Sequence, residues 1–437
     1  MAGSFRNRKL FVAYSGAFKR QSAFGTPLAT SDINTRHPQT NPTYPGRTVT
    51  REQIRDCSGE YLIREDITSR LARLRFSFDA DAFLAAGWLA YALGAAAAPS
   101  GTQTNEVQTI TPSGTITGGT YNVAVTFEGI TDNVDIPYNA TALETTAYLE
   151  SLRPIKPGNV VATGTLATTV VITFQGKLAA YNVPALTVDS TSLVGGTVSL
   201  GTTTAGTSKI HEITRTTNAQ TPVTSIITGF EGDSASYFEK YKDFAVNSVT
   251  IRGAIRGKVT VELDLIGSLD TLSALAYSVP ACVNINPIYT KDCRLEVNSS
   301  FVSSSMREFT YTYSNNIFSG DDAFPYDDID IERLEHGDRT SSFTFSVYGS
   351  RGDTIYTLGE AESVVAVNLY LGAPANRVVI DAPKTSIKLS DDPISFAGEA
   401  NRSTINITGT PFYNSSTAGT PDRVHYYGSE TATFLAT

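Results

Sequence analysis

The sequence predicts a mainly β protein, and three observations carry that reading. The 437-residue chain is rich in Thr, Ser, Gly, Val, Tyr and Phe but holds only 2 Met and 1 Trp, a balance that favours strands and turns over helices. From Val249 to Leu265 every odd position is apolar or glycine: Val249, Ile251, Gly253, Ile255, Gly257, Val259, Val261, Leu263 and Leu265. The even positions from Thr250 to Asp264 are nearly all polar, which is the period of two that turns one strand face to a core and the other to water. Further runs alternate alike, among them "SSFTFSVYG" (341–349), "VVAVNLYLG" (364–372), "NRVVIDAP" (376–383) and "RSTINITGTPFY" (402–413). The expectation is an antiparallel β-sandwich or barrel-type parent fold with two helices, continuous across an inserted module.

In chain order, residues 1–46 mix basic residues with Pro, Asn, Thr and Ser and keep no period, so they read as an extended N-terminal arm or long loop. Alternation through Leu71, Leu74, Phe76 and Phe78 then gives way to a helical pattern, with Asp79 or Asp81 as N-cap, Phe83, Leu84, Trp88 and Tyr91 along one face, and Gly94 at its end. The small, polar stretches "AAAAPSGTQT" (95–104) and "GTTTAGTS" (201–208) read as flexible linkers around an inserted domain, residues 105–208. Its alternating runs "TYNVAVTF" and "TTVVITF" predict strands. The stretch "NATALETTAYLESLRP" predicts a short helix capped near Asn139 or Thr141 and stopped by Pro154, so the insert is α+β or a small Ig-like sandwich. The parent domain, 47–104 and 209–437, resumes with a second expected helix through "SASYFEKYKD", capped by Asp233.

The net charge of −9 argues against a protein that grips nucleic acid by neutralising phosphates. GAIRGK (253–258) brings two glycines and a lysine together, yet the glycines are one residue too close for a P-loop and Val259 stands where Ser or Thr would bind magnesium. Four histidines sit at no metal-ligand spacing, "HEITR" lacks a second histidine, and no G-x-S-x-G elbow occurs. The acidic run with Asp321, Asp322, Asp327, Asp328 and Asp330 lacks the EF-hand order and reads as a solvated loop or acidic wall. Cys57, Cys282 and Cys293 form no ligand set, and synthesis in a reducing cytoplasm favours free buried thiols over a Cys282–Cys293 pair. The N-terminus has no apolar core of signal-peptide length, and no run of about 18 apolar residues occurs. The expectation is therefore no enzyme, no catalytic residue, no metal and no cofactor.

The order of elements around "NSVTIRGAIRGKVTVELDLIGS", "KDCRLEVNSS", "FTYTYSNNIFSG", "LEHGDRTSSFTFSVYG" and "TPDRVHYYGSETATFL" resembles that of the major tail tube proteins of long-tailed bacteriophages. The likeness spans roughly residues 45–100 and 209–437. Residues 105–207 resemble a module inserted in many phage virion proteins. The resemblance implies a virion protein made in the host cytoplasm. Its copies would form hexameric rings whose strands share one barrel, and stacked rings would conduct genomic DNA non-specifically through a lumen into the host. It also implies tape measure, tail terminator and tail-tip proteins as partners, with the insert free to contact the host surface. On this reading Glu262 and Asp264 are candidates to line the lumen. Arg252, Arg256 and Lys258 share that polar face and pair with carboxylates across the ring or at its rim, while Arg6, Arg8, Lys9, Lys19 and Arg20 form an inter-subunit arm. The alternatives are a secreted or virion-surface β-sandwich adhesin or decoration protein and, less in keeping with the residues, a calcium-dependent glycan lyase.

Overall fold

A computed structural model describes residues 10–37, 46–55, 62–216, 222–230, 238–271, 277–282, 284–302, 306–317, 334–397, 402–412 and 421–437. Before the insert run β1 (Leu10–Tyr14), β2 (Thr35–Arg36), β3 (Gly46–Arg55), β4 (Leu62–Asp79), helix α1 (Ala82–Leu93) and β5 (Gly94–Ala96). The insert holds β6 (Val107–Phe127), β7 (Ile130–Pro137), α2 (Ala142–Ser151), β8 (Val160–Thr165), β9 (Thr169–Phe174), β10 (Thr187–Asp189) and β11 (Leu193–Thr204). The parent continues through β12 (Lys209–Arg215), β13 (Thr224–Phe230), β14 (Glu239–Ala254), β15 (Val259–Thr271), β16 (Arg294–Val297), β17 (Ser300–Phe301) and β18 (Met306–Ser314). It closes with β19 (Thr340–Tyr348), α3 (Thr354–Glu360), β20 (Val364–Ala373), β21 (Asn376–Ala397), β22 (Arg402–Pro411) and β23 (Arg423–Gly428). The fold is mainly β, as expected.

Two long strands organise the parent. One half of its sheet runs β3–β4–β15–β14–β18–β19–β22–β21, every pair antiparallel. β21 then carries on past that half, pairing through residues 376–382 with β20 and β23, which in turn meet β16 and β12. The upper part of β14 likewise turns away to pair with β13 and so with β1. Register shifts between Lys242 and Ala245 and between Val246 and Ser248 mark the bend in β14, and Asp243 there takes φ +58°. Such bulges sharpen the right-handed twist of a sheet, and the first half curls toward half a barrel.

Helix α1 fills the space enclosed by the curl. Eleven of its twelve residues are buried, the pattern of a core helix rather than an amphipathic one. Asp81 caps it by accepting from the Phe83 and Leu84 amides at 3.0 and 3.4 Å, and Gly94 closes it at φ +97°. Trp88 Nε1 donates to His37 Nε2 at 2.9 Å, a partner that a buried indole N–H requires. Val249, Ile251, Val261, Leu263, Leu265, Phe309, Phe345 and Ile407 pack in the same cluster as Leu295, Leu369, Leu371 and Ile380 from the other half-sheet. The outward faces of the two halves therefore lie on opposite sides of one core.

The insert folds around its own core, in which Val123, Leu149, Leu152, Ile172 and Phe174 are among the buried residues. It is α+β, with a six-stranded sheet and α2 capped by a Thr141–Glu144 capping box. Its long β6 serves two groups of partners, β9 and β11 along its first half and β7 and β10 along its second.

Four expectations are corrected. Residues 10–37 are not an extended arm: β1 pairs with β13, and Phe11, Val12, Tyr14, Phe18 and Ile33 are buried. Apolar residues scattered without a period joined the core through tertiary contacts, which no local pattern announces. Residues 239–243, expected to end a helix, open β14, because their pairing with β13 and β15 overrides local propensity. The stretches expected as flexible linkers are tied down, with Ser100 bridging Ile210 and Thr104 bridging Thr207. Cys293 is free and buried as expected, its thiol pushed up to about 12 by burial, while Cys282 is free but exposed.

The GAIRGK stretch (253–258) forms a hairpin tip. β14 and β15 join through Ile255–Lys258, where Arg256 takes φ +60°. A Cβ on Gly253 would come 2.4 Å from the Phe309 ring, which explains a glycine on the buried face. Gly253→Val is expected to destabilise the protein by about 1–3 kcal/mol through overpacking. Val261→Asp, at a position 0% exposed, places an unpaired carboxylate in the core and is expected to cost on the order of 4 kcal/mol and abolish cooperative folding. Thermal melts followed by circular dichroism check both; an Asp variant with an unchanged midpoint would refute the inward assignment.

Candidate functional site

The outward face of the first half-sheet is an extended polar surface formed by sequence-distant strands. Cross-strand register builds it in rows. One row reads Asp79, Thr260, Arg252, Thr310, Thr344, Thr408 and Lys388 across seven strands. Its neighbours read Ser77, Glu262, Thr250, Thr312, Ser342 and Arg75, Asp264, Ser248, Ser314, Thr340. At about 4.8 Å per strand the first row spans roughly 29 Å. Because successive residues point to opposite faces, the apolar positions between these rows are the core residues described above. Two hollows lie along the face, one of about 520 Å³ over Arg252, Lys258, Thr260, Thr310 and Thr344 and another of about 390 Å³ over Ser77, Thr250 and Glu262.

Its charges are balanced within the chain. Asp264 accepts from Arg73, from Arg75 at 3.2 Å and from Asn247 at 3.0 Å. Burial raises the carboxyl of Asp264, but the hydrogen bonds from Arg73, Asn247 and Arg75 outweigh it and hold it below the usual carboxylate range. Arg252 Nη2 lies 3.5 Å from Glu262, and Lys258 Nζ donates to Asp79 at 2.5 Å, which raises the lysine. Between these pairs the surface is hydroxyl, a lining that offers hydrogen bonds without net charge.

The structure places the sequence-derived candidates unevenly. Glu262, Arg252 and Lys258 do share the polar face. Asp264 is corrected: it is 9% exposed and committed to two arginines rather than presented to solvent. Within the chain, Arg252 and Lys258 lie against the carboxylates of Glu262 and Asp79. Arg256 sits at the exposed hairpin tip. Lys19 and Arg20 belong to no arm: Lys19 Nζ pairs with Asp32 at 2.9 Å and the Arg20 amide donates to the Ala436 carbonyl. Arg6, Arg8, Lys9, Asp321, Asp322, Asp327, Asp328 and Asp330 lie outside the described residues.

Sequence reasoning missed Arg73, Arg75 and Asp79, although "RLARLRFSFD" alternates and puts all three on one face. It also missed a buried pair behind the face. Arg215 Nε donates to Asp422 at 2.8 Å, Tyr311 donates to the same carboxylate at 2.6 Å, and burial with the nearby Asp422 raises the phenol far above its ordinary value. No local signal marks a pair 207 residues apart.

Among the described residues no three His, Cys, Asp or Glu side chains converge as metal ligands, and no helix is long and apolar enough to cross a membrane. No family model and no curated protein matches the chain.

Asp264→Asn is expected to destabilise the fold by about 1–2 kcal/mol, a modest figure because both arginines are partly exposed. Its folded-state carboxyl titrates below the ordinary 3.8, so the difference from wild type is full above that pH and shrinks as pH falls through the folded-state value. Melting midpoints of both proteins from pH 7 to pH 2 check this; a gap that widens in acid would refute it.

Proposed function

We propose that this chain is a structural subunit of a phage tail tube, in which the outward polar face of each copy forms one segment of a wall around a DNA conduit. The observation that carries the reading is that face: a curled antiparallel sheet, hydroxyl-rich, with its arginines and its lysines, Lys258 and Lys388, engaged by carboxylates of the same chain. Each lysine or arginine that binds phosphate releases counterions and adds affinity, so a wall that let duplex DNA slide would keep its cations occupied. Closure is the second support. Among the described residues β3 pairs only with β4, and an exposed strand edge invites pairing with another chain unless a closed barrel removes it. Copies joined into a ring, hexameric by resemblance, would satisfy those edges. Stacked rings would then meet tape measure, terminator and tip proteins in the virion. The reading assigns no catalytic residue and no cofactor.

The insert meets the parent through Arg377, Arg294 and Asp292, none of which belongs to the rows of the polar face, which suits a position outside a tube and within reach of a host surface.

Negative-stain electron microscopy of the purified protein tests the class: tubes or six-fold rings are expected, and monomers alone across a wide concentration range would count against it, favouring a surface adhesin. Glu262, with its side chain 47% exposed, tests the lumen. Glu262→Lys frees Arg252 and adds a cation, so particles should assemble and release DNA several-fold more slowly. An unchanged release rate would sink the lumen assignment.

A further inference from the structure

The insert touches the parent through more than its two connecting strands. At the β6–β7 turn Glu128 and Gly129 take φ of +49° and +76°, a geometry that suits a tight hairpin turn. This turn reaches the outward face of β16, β20 and β21. Arg377 Nη2 donates to the Glu128 carboxylate at 2.6 Å, and Arg294 Nε lies 3.3 Å from its other oxygen.

Arg377 is 1% exposed. Its guanidinium carbon lies 5.2 Å from the ring centre of Tyr181 in the insert and 5.4 Å from that of Tyr370 in the parent. One buried cation is thus held by a carboxylate and a ring from the insert and by a second ring from the parent. Beside it, a Cβ on Gly129 would come 2.7 Å from the Phe301 Cβ, so only glycine permits this approach. A further contact joins Lys177 Nζ to Asp292 at 3.1 Å, and the Lys177 carbonyl accepts from the Ala375 amide at 3.0 Å.

Burial makes this more than a surface contact. A guanidinium removed from water needs a hydrogen-bonded counter-charge, and breaking such a pair from one side leaves an uncompensated charge. Undocking the insert would strip Arg377 of Glu128 and Tyr181 together.

We infer that the insert is docked on the parent as a fixed fin, with the Glu128–Arg377 pair as its latch, rather than swinging on its connecting segments. The inference rests on contacts within one chain and stands whether or not the chain builds a tube. Where it does, every copy would present its insert in the same orientation.

The test is a distance distribution in the full chain between spin labels at Leu143→Cys in α2 and Val364→Cys in β20, positions 80% and 57% exposed. The background carries Cys57→Ser and Cys282→Ser to remove competing thiols. Docking predicts one narrow distribution, which broadens at least twofold in Glu128→Ala. Should that variant fail to fold because Arg377 is stranded, Glu128→Gln with Arg377→Met removes both charges and is expected to fold with the same broadening. A broad distribution with Glu128 and Arg377 intact would overturn the docked fin, and a narrow one in the variant that folds would overturn the latch.

Discussion

The whole parent domain depends on one constraint, the requirement that a long curled sheet bury a single face around helix α1. Period-two alternation in β4, β14, β15, β18 and β19 sends Phe76, Phe78, Val249, Ile251, Val261, Leu263, Tyr311 and Phe345 inward against that helix. A slip of one residue in any of these pairings would exchange the faces and expose the core set. The same constraint creates the polar face, since whatever is not buried must line up in rows on the other side. Fold and candidate site are two consequences of one register.

Charge placement follows a second rule. On the open face ion pairs join side chains on neighbouring strands and leave few cations free. Inside, charges tie separate segments together: Arg215 is held by Asp422, and Arg377 by Glu128, 249 residues away. The buried pairs mark where segments far apart in the chain must meet. Arg215 joins β12 to the loop before β23, and Arg377 joins the parent to the insert. Such pairs add little net stability over a well-packed apolar contact, but losing one partner is costly, so they discriminate against misplaced segments.

Much of this was legible in the sequence, and the reasons are local. The alternating strands of the β14–β15 hairpin, the end of α1 at Gly94 with its cap narrowed to Asp79 or Asp81, and a helix capped near Asn139 or Thr141 all follow from patterns within about twenty residues. The polar membership of Glu262, Arg252 and Lys258 followed from parity alone. Local patterns also misled where tertiary pairing overrode them, as at 239–243, drawn into β14, and at 95–104 and 201–208, where bridges fixed chain that composition marked as loose.

What the sequence by itself determined is which residues face a core and which face water, because alternation and capping act over a few residues. What only the tertiary structure decided is which polar residues meet. It showed that Asp264 is spent on Arg73 and Arg75, that Arg252 and Lys258 find their carboxylates in their own chain, that residues 10–37 belong to the core, and that Glu128 holds Arg377. Each of those depends on register between strands distant in sequence, and register is set by the packing of the whole sheet rather than by any segment of it.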